Sequence, residues 1–437
     1  MKPSNGDQRS GHGPGGPTES RSRSRAFLLF GIAAALFKLA TRNLARHHTR
    51  TIISLSAVAF GVVALMLAGG FSEWIFWAMR EGAIQTGLGH IQITRPGFRE
   101  TGSADPGAYL LPPDARALAS VKSAPSVTVV DERLLLSGLA SSGETTVAFT
   151  GEAVDPEADN RISKVLAVNG ESLSSTDPSG VLVGSGLART LGIKRGDPIS
   201  FIVSLPGGSI NGDEGHVRGT FTTGFKTYDD SVVRMPLGLG QRLLRVKSAD
   251  VWVVGLDDTE HTADAMRYLR ERLSPKLFEL ASWLDLSDFY RKTVDLLSRQ
   301  IRVVAILIAV IIVLGISNTF TMNVLERTGE IGTLMALGTT RRFILALFIA
   351  EGVLLGVAGG LIGLAAGFGL GELLSLIGIP MPPPPGRTES YSAKIMLTVP
   401  LATWSFLLAL VTAPLASMYP AWKASRLAIV DALRHNR

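Results

Sequence analysis

The chain has 437 residues, 46% of them hydrophobic and 18% charged, with a formal net charge of +6. Against the ~25% charge usual in soluble domains, the deficit is concentrated in four windows without any charge, 51–72, 303–325, 352–371 and 395–422. Each is near the ~20 residues that cross a hydrocarbon core about 30 Å thick, which excludes a wholly soluble enzyme. A many-span carrier is excluded too, because too much of the chain is polar.

In chain order, residues 1–25 are rich in Gly, Pro, Ser and Arg and carry too little apolar surface to offset ordering, so they read as a disordered cytoplasmic tail. Residues 26–50 read as an interfacial helix and basic flank. The competing reading, a signal-peptide core at 26–37, would leave Lys38, Arg42 and Arg46 on the wrong side of the membrane after cleavage. Span one is placed at 51–72, and a large exported domain with helical stalks at 73–300. Within it, 133–140 and 144–151 are β-rich runs joined by Ser141-Ser142-Gly143, a hairpin signal. The run 181–184 reads as a strand, 185–191 as a helix stopped at Gly192, and 207–215 as a Gly- and Asp-rich loop. A strand at 251–254 and a helix at 262–273 complete an interleaved pattern, which predicts two mixed α+β lobes. The apolar stripe from 285 to 301 predicts one continuous helix rising into span two at 301–325. A cytoplasmic loop at 326–342, span three at 343–375, a Pro-rich outer loop at 376–394, span four at 395–422 and a cytoplasmic tail at 423–437 follow.

The basic residues sit beside the spans: Arg42, Arg46 and Arg50 before the first, Arg341 and Arg342 before the third, Lys423, Arg426 and Arg434 after the fourth. This positive-inside pattern predicts both termini and the 326–342 loop in the cytoplasm and the large domain outside. It also accounts for the charge excess without nucleic-acid binding. Cysteine is absent, so neither disulfides nor thiol chemistry are available. No catalytic constellation emerges. There is no P-loop, the seven histidines (12, 47, 48, 90, 216, 261 and 435) lack paired metal-ligand spacing, and Ser185 lacks a nucleophile elbow. Glu351, the strong acid inside the third hydrophobic block, reads as a polar anchor. Span three repeats glycine every four residues, at 359, 363, 367 and 371, with 352, 356 and 360 on a neighbouring track, which predicts close helix packing within the bundle. A weaker track in span one, Ala57/Gly61 and Ala64/Ala68, suits either internal packing or a dimer seam.

The loop E-R-T-G-E-I-G-T-L-M-A-L-G-T-T-R-R at 326–342 resembles the signature loop between the second and third spans of FtsX/MacB-type ABC permeases. The closing Y-P-A-W-K-A-S-R at 419–426, the following V-D-A-L-R at 430–434 and Arg42-Asn43-Leu44 at the entry are also similar to that family. Gly89-His90-Ile91-Gln92-Ile93, the 184–197 segment and Met381-Pro382-Pro383-Pro384-Pro385-Gly386 look most like the LolC/LolE lipoprotein-releasing permeases. The resemblance implies an α-helical membrane protein with four transmembrane helices and a large α+β periplasmic domain of two MacB-like lobes on helical stalks, in a bacterial inner membrane. It further implies a permease dimer with a second subunit, identical or different, and two separate cytoplasmic ABC ATPases. ATP and Mg would be bound by those ATPases, with no cofactor on this chain. The implied mechanism is mechanotransmission, releasing lipoproteins or a related amphiphile to a periplasmic acceptor. The alternatives are MacB-like efflux into an outer-membrane duct and FtsX-like regulation of a cell-wall hydrolase.

The loop's own physics suits an ATPase contact. It begins with acids, ends with bases and places Ile331, Leu334, Met335 and Leu337 at helical spacing, an apolar face that either an ATPase groove or lipid headgroups would cover. The resemblance favours the ATPase, and it implies that Glu326, Arg327, Glu330, Ile331, Leu334, Leu337 and Gly338 couple to it. The resemblance to LolC/LolE also implies substrate-facing stripes, which would fall at Val58, Val62 and Leu65 of span one and at Val310, Leu314 and Ser317 of span two; the sequence alone fits ordinary lipid-facing side chains equally well.

Overall fold

The structure, a computed structural model, describes residues 36–46, 48–101, 109–164, 166–205, 208–382 and 391–426. The tail expected at 1–25, the segment 26–35, Pro383 to Gly386 and the V-D-A-L-R motif lie outside these residues. The first helix, α1 (36–46), buries Ala40 and keeps Leu44 half-buried one turn later, while Phe37, Lys38, Arg42 and Arg46 are exposed. Thr51 Oγ1 donates to the Leu44 carbonyl at 2.8 Å and ties this helix to the next. That helix, α2 (His48–Ala83), continues well past the uncharged window of span one and passes into a π-helical turn, Ile84–Leu88. Gly87 (φ 136°) and Gly89 (φ 62°) end it in conformations that side chains with a Cβ rarely adopt.

The elements that follow alternate as expected: β1 (Ile91–Thr94), α3 (Phe98–Thr101), α4 (Ala115–Lys122), β2 (Val127–Ser142), β3 (Thr145–Val154), α5 (Pro156–Ile162), β4 (Ala167–Gly170) and β5 (Gly180–Gly184). After them come α6 (Ser185–Leu191), β6 (Pro198–Ser204), β7 (Ile210–Thr222), α7 (Lys226–Asp229), β8 (Val232–Pro236), α8 (Leu237–Leu244), β9 (Val251–Leu256), α9 (Thr262–Arg272), β10 (Glu279–Ser282) and α10 (Trp283–Leu286). The local signals work as chemistry. Asp114 caps α4, Asp155 caps α5 ahead of Pro156 at its start, and Gly192 ends α6 in the left-handed region. Two expectations are corrected. The Gly- and Asp-rich stretch read as a loop over 207–215 is strand from Ile210, because its glycines sit opposite Ile202 and Ile199 of β6 and complete the ladder. The helix expected to run unbroken from 285 is interrupted at Ser287, which follows the capping-box turn of α10 built by Ser282 and Asp285.

Strand pairing resolves the domain into two lobes that share one strand. The order β10-β1-β9-β2, antiparallel throughout, forms a four-stranded sheet using Val127–Arg133 of β2. Its face against α4 and α9 is lined by Ile91, Ile93, Val130, Trp252 and Val254, with Leu269 of α9 packed in the same core. Beyond Arg133 the same strand enters a closed ring. It pairs with β3, β3 with β8, β8 with β5, β5 with β7, β7 with β6, and β6 back with β2 at Gly138–Ser141. The second lobe is thus a six-stranded barrel. Alternate residues fill it, among them Leu134, Leu136, Phe149, Val183, Phe201 and Val233, with α6 and α8 packed on the same core.

The remaining helices are α11 (Asp288–Glu326), α12 (Thr328–Ala336), α13 (Arg341–Ile377) and α14 (Val399–Ser425). Between the last two, β11 (Ile379–Met381) and β12 (Tyr391–Ala393) form a short antiparallel pair. Span four starts later than its uncharged window. Residues 395–398 are not helical, and the Met396 amide donates to the Gly70 carbonyl at 2.9 Å. Among the described residues, α2 with its π-turn, α11, α13 and α14 are long and apolar enough to cross a membrane.

The two glycine tracks of α13 face different partners. A Cβ at Gly359 or Gly363 would lie 2.8 or 2.6 Å from the Cβ of Val58 or Val62 on α2, and one at Gly367 would meet Met66. Gly352, Gly356 and Gly360 are equally tight against Ser417, Ala409 and Phe406 of α14. Missing side chains let both neighbours approach the α13 backbone, the internal packing that the spacing implied.

Candidate functional site

The 326–342 loop folds as one short helix with divided loyalties. Thr328 Oγ1 donates to the Val324 carbonyl, Glu330 lies in the first turn of α12 where the helix dipole favours an acid, and Gly338 (φ 96°) ends the helix. The expected single apolar face splits. Ile331 is buried in the bundle's own core with Phe320, Val324 and Ile344, whereas Leu334 is 42% and Leu337 is 80% exposed. The charges expected to meet a partner are paired within the chain. Arg50 forks onto Glu326, Arg327 Nε donates to Glu330 at 3.2 Å, and Arg327 Nη1 lies 3.6 Å from Glu351.

The expected stripe on span one is corrected. Val58, Val62 and Leu65 are 0%, 1% and 3% exposed, because the glycines of α13 admit the first two directly against its backbone. An i, i+4, i+7 stripe shows that a helix has a buried side, and hydropathy alone does not say whether lipid or another helix covers it. On α11, Val310 and Leu314 are 49% and 64% exposed, continuing an open surface with Ile306 and Ile311.

Sequence reasoning missed a buried ionic cluster at the end of the α2 π-turn. Arg133 of β2 and Arg234 of β8 are 5% and 0% exposed. Arg133 Nη1 donates to the Gly87 carbonyl at 2.7 Å, and Arg234 Nη2 to the Thr86 carbonyl at 3.0 Å. Asp159 of α5 sits between them, accepting from Arg234 Nη1 at 3.0 Å and from Arg133 Nη2 at 3.1 Å. Asp131 accepts from Arg133 Nε at 2.5 Å, and Glu152 lies 3.1 Å from Arg234. A Cβ on Gly87 would lie 2.9 Å from Arg234 Nη2 and 3.0 Å from Arg133 Nη1, so this glycine allows the backbone to reach both guanidinium groups. Burial opposes ionisation of Asp159, yet the Arg234 and Arg133 guanidinium groups hold its carboxyl below the usual range. Burial dominates at Asp131, which is pushed up to about 6 despite Arg133 beside it. For Arg234, the carboxylates of Asp159 and Glu152 outweigh burial and raise its pKa. The signal was present, because Arg234 is a lone charge in the apolar run V-V-R-M-P.

Two family models match this chain, the MacB-like periplasmic core domain over residues 51–272 and the FtsX-like permease C-terminal region over 302–429. The chain belongs to the FtsX/MacB-type permease family. Among the curated relatives of this permease, MacB of Brucella abortus, described as a macrolide export ATP-binding/permease protein, is 29% identical over 89% of this chain and 58% of its own length. MacB of Rhodospirillum rubrum is 28% identical over 92% of this chain and 61% of its own. An ABC transporter permease of Bacillus subtilis, YvrN, is 36% identical over 28% of this chain and 26% of its own. The chain thus aligns with less than two thirds of the length of each. A solved structure, the periplasmic region of MacB from Actinobacillus actinomycetemcomitans, aligns with 48% of this chain and 94% of its own at 13% identity and a TM-score of 0.36.

Proposed function

We propose that this permease is the membrane subunit of an ABC exporter, driven by separate cytoplasmic ATPases that bind ATP and Mg, and that it passes their motion to its external domain. The supporting observation is the loop, where Leu334 and Leu337 remain exposed while Glu326, Arg327 and Glu330 are paired within the chain. A short cytoplasmic helix presenting two bare leucines suits an apolar groove on a partner subunit. In a complex purified from its own cells, Leu334→Asp places a charge in that contact and should lower ATPase retention at least tenfold, while the permease still inserts. Retention at the parent level would overturn the reading.

The substrate class we assign is an amphiphile taken up from the outer side. The match to MacB-like external domains supports efflux of a macrolide-like compound. Lipoprotein release is the second reading, and the open apolar stripe of α11 at Val310 and Leu314 supports it. A photoreactive residue at Leu314 should trap an acylated protein if lipoproteins are released, and phospholipid alone if the substrate is a small amphiphile. Transport would require a second permease copy or a different permease partner.

A further inference from the structure

Charged and polar groups around the 326–342 loop form a closed circuit through three helices. On α1, Asn43 and Arg46 are three residues apart and share a face. Asn43 Nδ2 donates to Glu351 Oε1 of α13 at 2.7 Å, and the same oxygen lies 3.6 Å from Arg327 Nη1 at the start of α12. Arg327 Nε donates to one oxygen of Glu330, and the other oxygen accepts from Arg46 Nη1 at 3.3 Å, which returns to α1. Beside the circuit, Arg50 at the start of α2 binds both oxygens of Glu326, the last residue of α11.

The links differ in strength. Arg46 and Glu330 have side chains 70% and 47% exposed, so that pair alone contributes little. Glu351 is 1% exposed and Arg327 only 13%, so separating them leaves a nearly buried charge uncompensated. The Arg50–Glu326 pair is bidentate, the geometry that holds two groups at a defined angle. A nine-residue helix such as α12 is too short to be stable alone and takes its position from what braces it.

We infer that this circuit and the Arg50–Glu326 pair beside it together form a clip that makes α1 part of the coupling apparatus, and that Glu326, Arg327 and Glu330 act on the chain itself. They are positioning residues. Force applied at Leu334 and Leu337 then reaches α1, α2 and α13 together and does not pass only through the two ends of the loop. The inference rests on α12 being the element that meets the ATPase.

The chain has no cysteine, so Ala336→Cys carries a single spin label at the exposed end of α12. In nanodiscs of phosphatidylethanolamine and phosphatidylglycerol, Arg50→Glu and Glu351→Gln should each at least double the mobile fraction of the label. The charge swap Arg50→Glu/Glu326→Arg should restore the parent spectrum, and Arg42→Glu, an exposed change on α1, should leave it unaltered. In the complex purified from its own cells, the single variants should lower ATP hydrolysis about tenfold with ATPase retention within threefold of the parent, and the swap should recover it. Parent-like label motion in Arg50→Glu, or a swap no better than either single change, overturns the clip. Loosened α12 with unchanged hydrolysis, where Leu334→Asp still abolishes retention, overturns its coupling role and leaves the proposed function standing. If Leu334→Asp retains the ATPase, the proposed function fails, and the clip is judged on the label alone.

Discussion

Arg234 and Asp159 are the residues whose replacement has the most to disturb. Both are buried, Arg234 completely, and each is the other's main counter-charge. Asp159→Asn would leave two buried guanidinium groups facing a neutral amide, a loss of about 3–5 kcal/mol by analogy with broken buried pairs. Denaturant unfolding of the detergent-solubilised chain, followed by fluorescence of the buried Trp252, should show the midpoint falling accordingly. An unchanged midpoint would mean that the cluster is dispensable for the domain. Asp250 carries a pH dependence. It is fully buried, accepts one hydrogen bond from the Leu135 amide, and burial raises its pKa to about 7. A carboxyl raised above its unfolded value stabilises the fold while protonated. That contribution is complete below the unfolded pKa near 4 and is lost as pH rises through about 7. Between pH 5 and pH 8 the domain should lose roughly 2 kcal/mol at this site, and Asp250→Asn should make the profile shallower, leaving the part contributed by the raised Asp131. A pH profile of the same slope in the variant would assign the effect elsewhere.

Among the elements, α13 gives the sharpest contrast. Gly363→Leu drives a side chain into Val62 and the Ala59 carbonyl, which are 2.6 and 2.9 Å from the first added carbon, and overpacking of this kind costs about 1–3 kcal/mol or more. Gly369→Ala meets nothing within 4 Å and removes a glycine from a helix, so it should be neutral or stabilising by up to about 1 kcal/mol. Thermal unfolding in detergent distinguishes them, and equal midpoints would argue against the packing of α2 on α13. These elements were legible from sequence to different degrees. Four-residue glycine spacing is a property of one helix, and it was readable. Whether Val58 faced lipid or α13 depended on which helix approached, and a single helix's periodicity does not contain that. The Glu326, Arg327 and Glu330 motif was readable as the family's signature loop, but its internal partners at Arg46, Arg50 and Glu351 lie far away in sequence.

For the whole molecule, the Lys and Arg flanks predict which parts share a side of the membrane. With no native cysteine, Glu144→Cys in the β2–β3 turn should react with an impermeant maleimide in intact spheroplasts, whereas Ala336→Cys should react only after permeabilisation. Labelling with the opposite preference would invert the topology. The interleaved strands and helices of the external domain were evident in the sequence as alternating runs. Ring closure was not, because it is set by β6 returning to β2 and by parallel pairs between β3 and β8 and between β5 and β7.

The sharing of β2 between ring and sheet has a consequence for the order of folding. The strand is made early and forms its hairpin with β3 at once, but Gly138–Ser141 must wait for β6, and Val127–Arg133 must wait for β9. Until the ribosome has passed Leu256, the first half of β2 is an unsatisfied edge rich in valine, and loop-closure entropy makes such distant pairings slow. Nascent chains stalled before β9 should therefore be the most aggregation-prone species this protein forms, and the ones most dependent on chaperones.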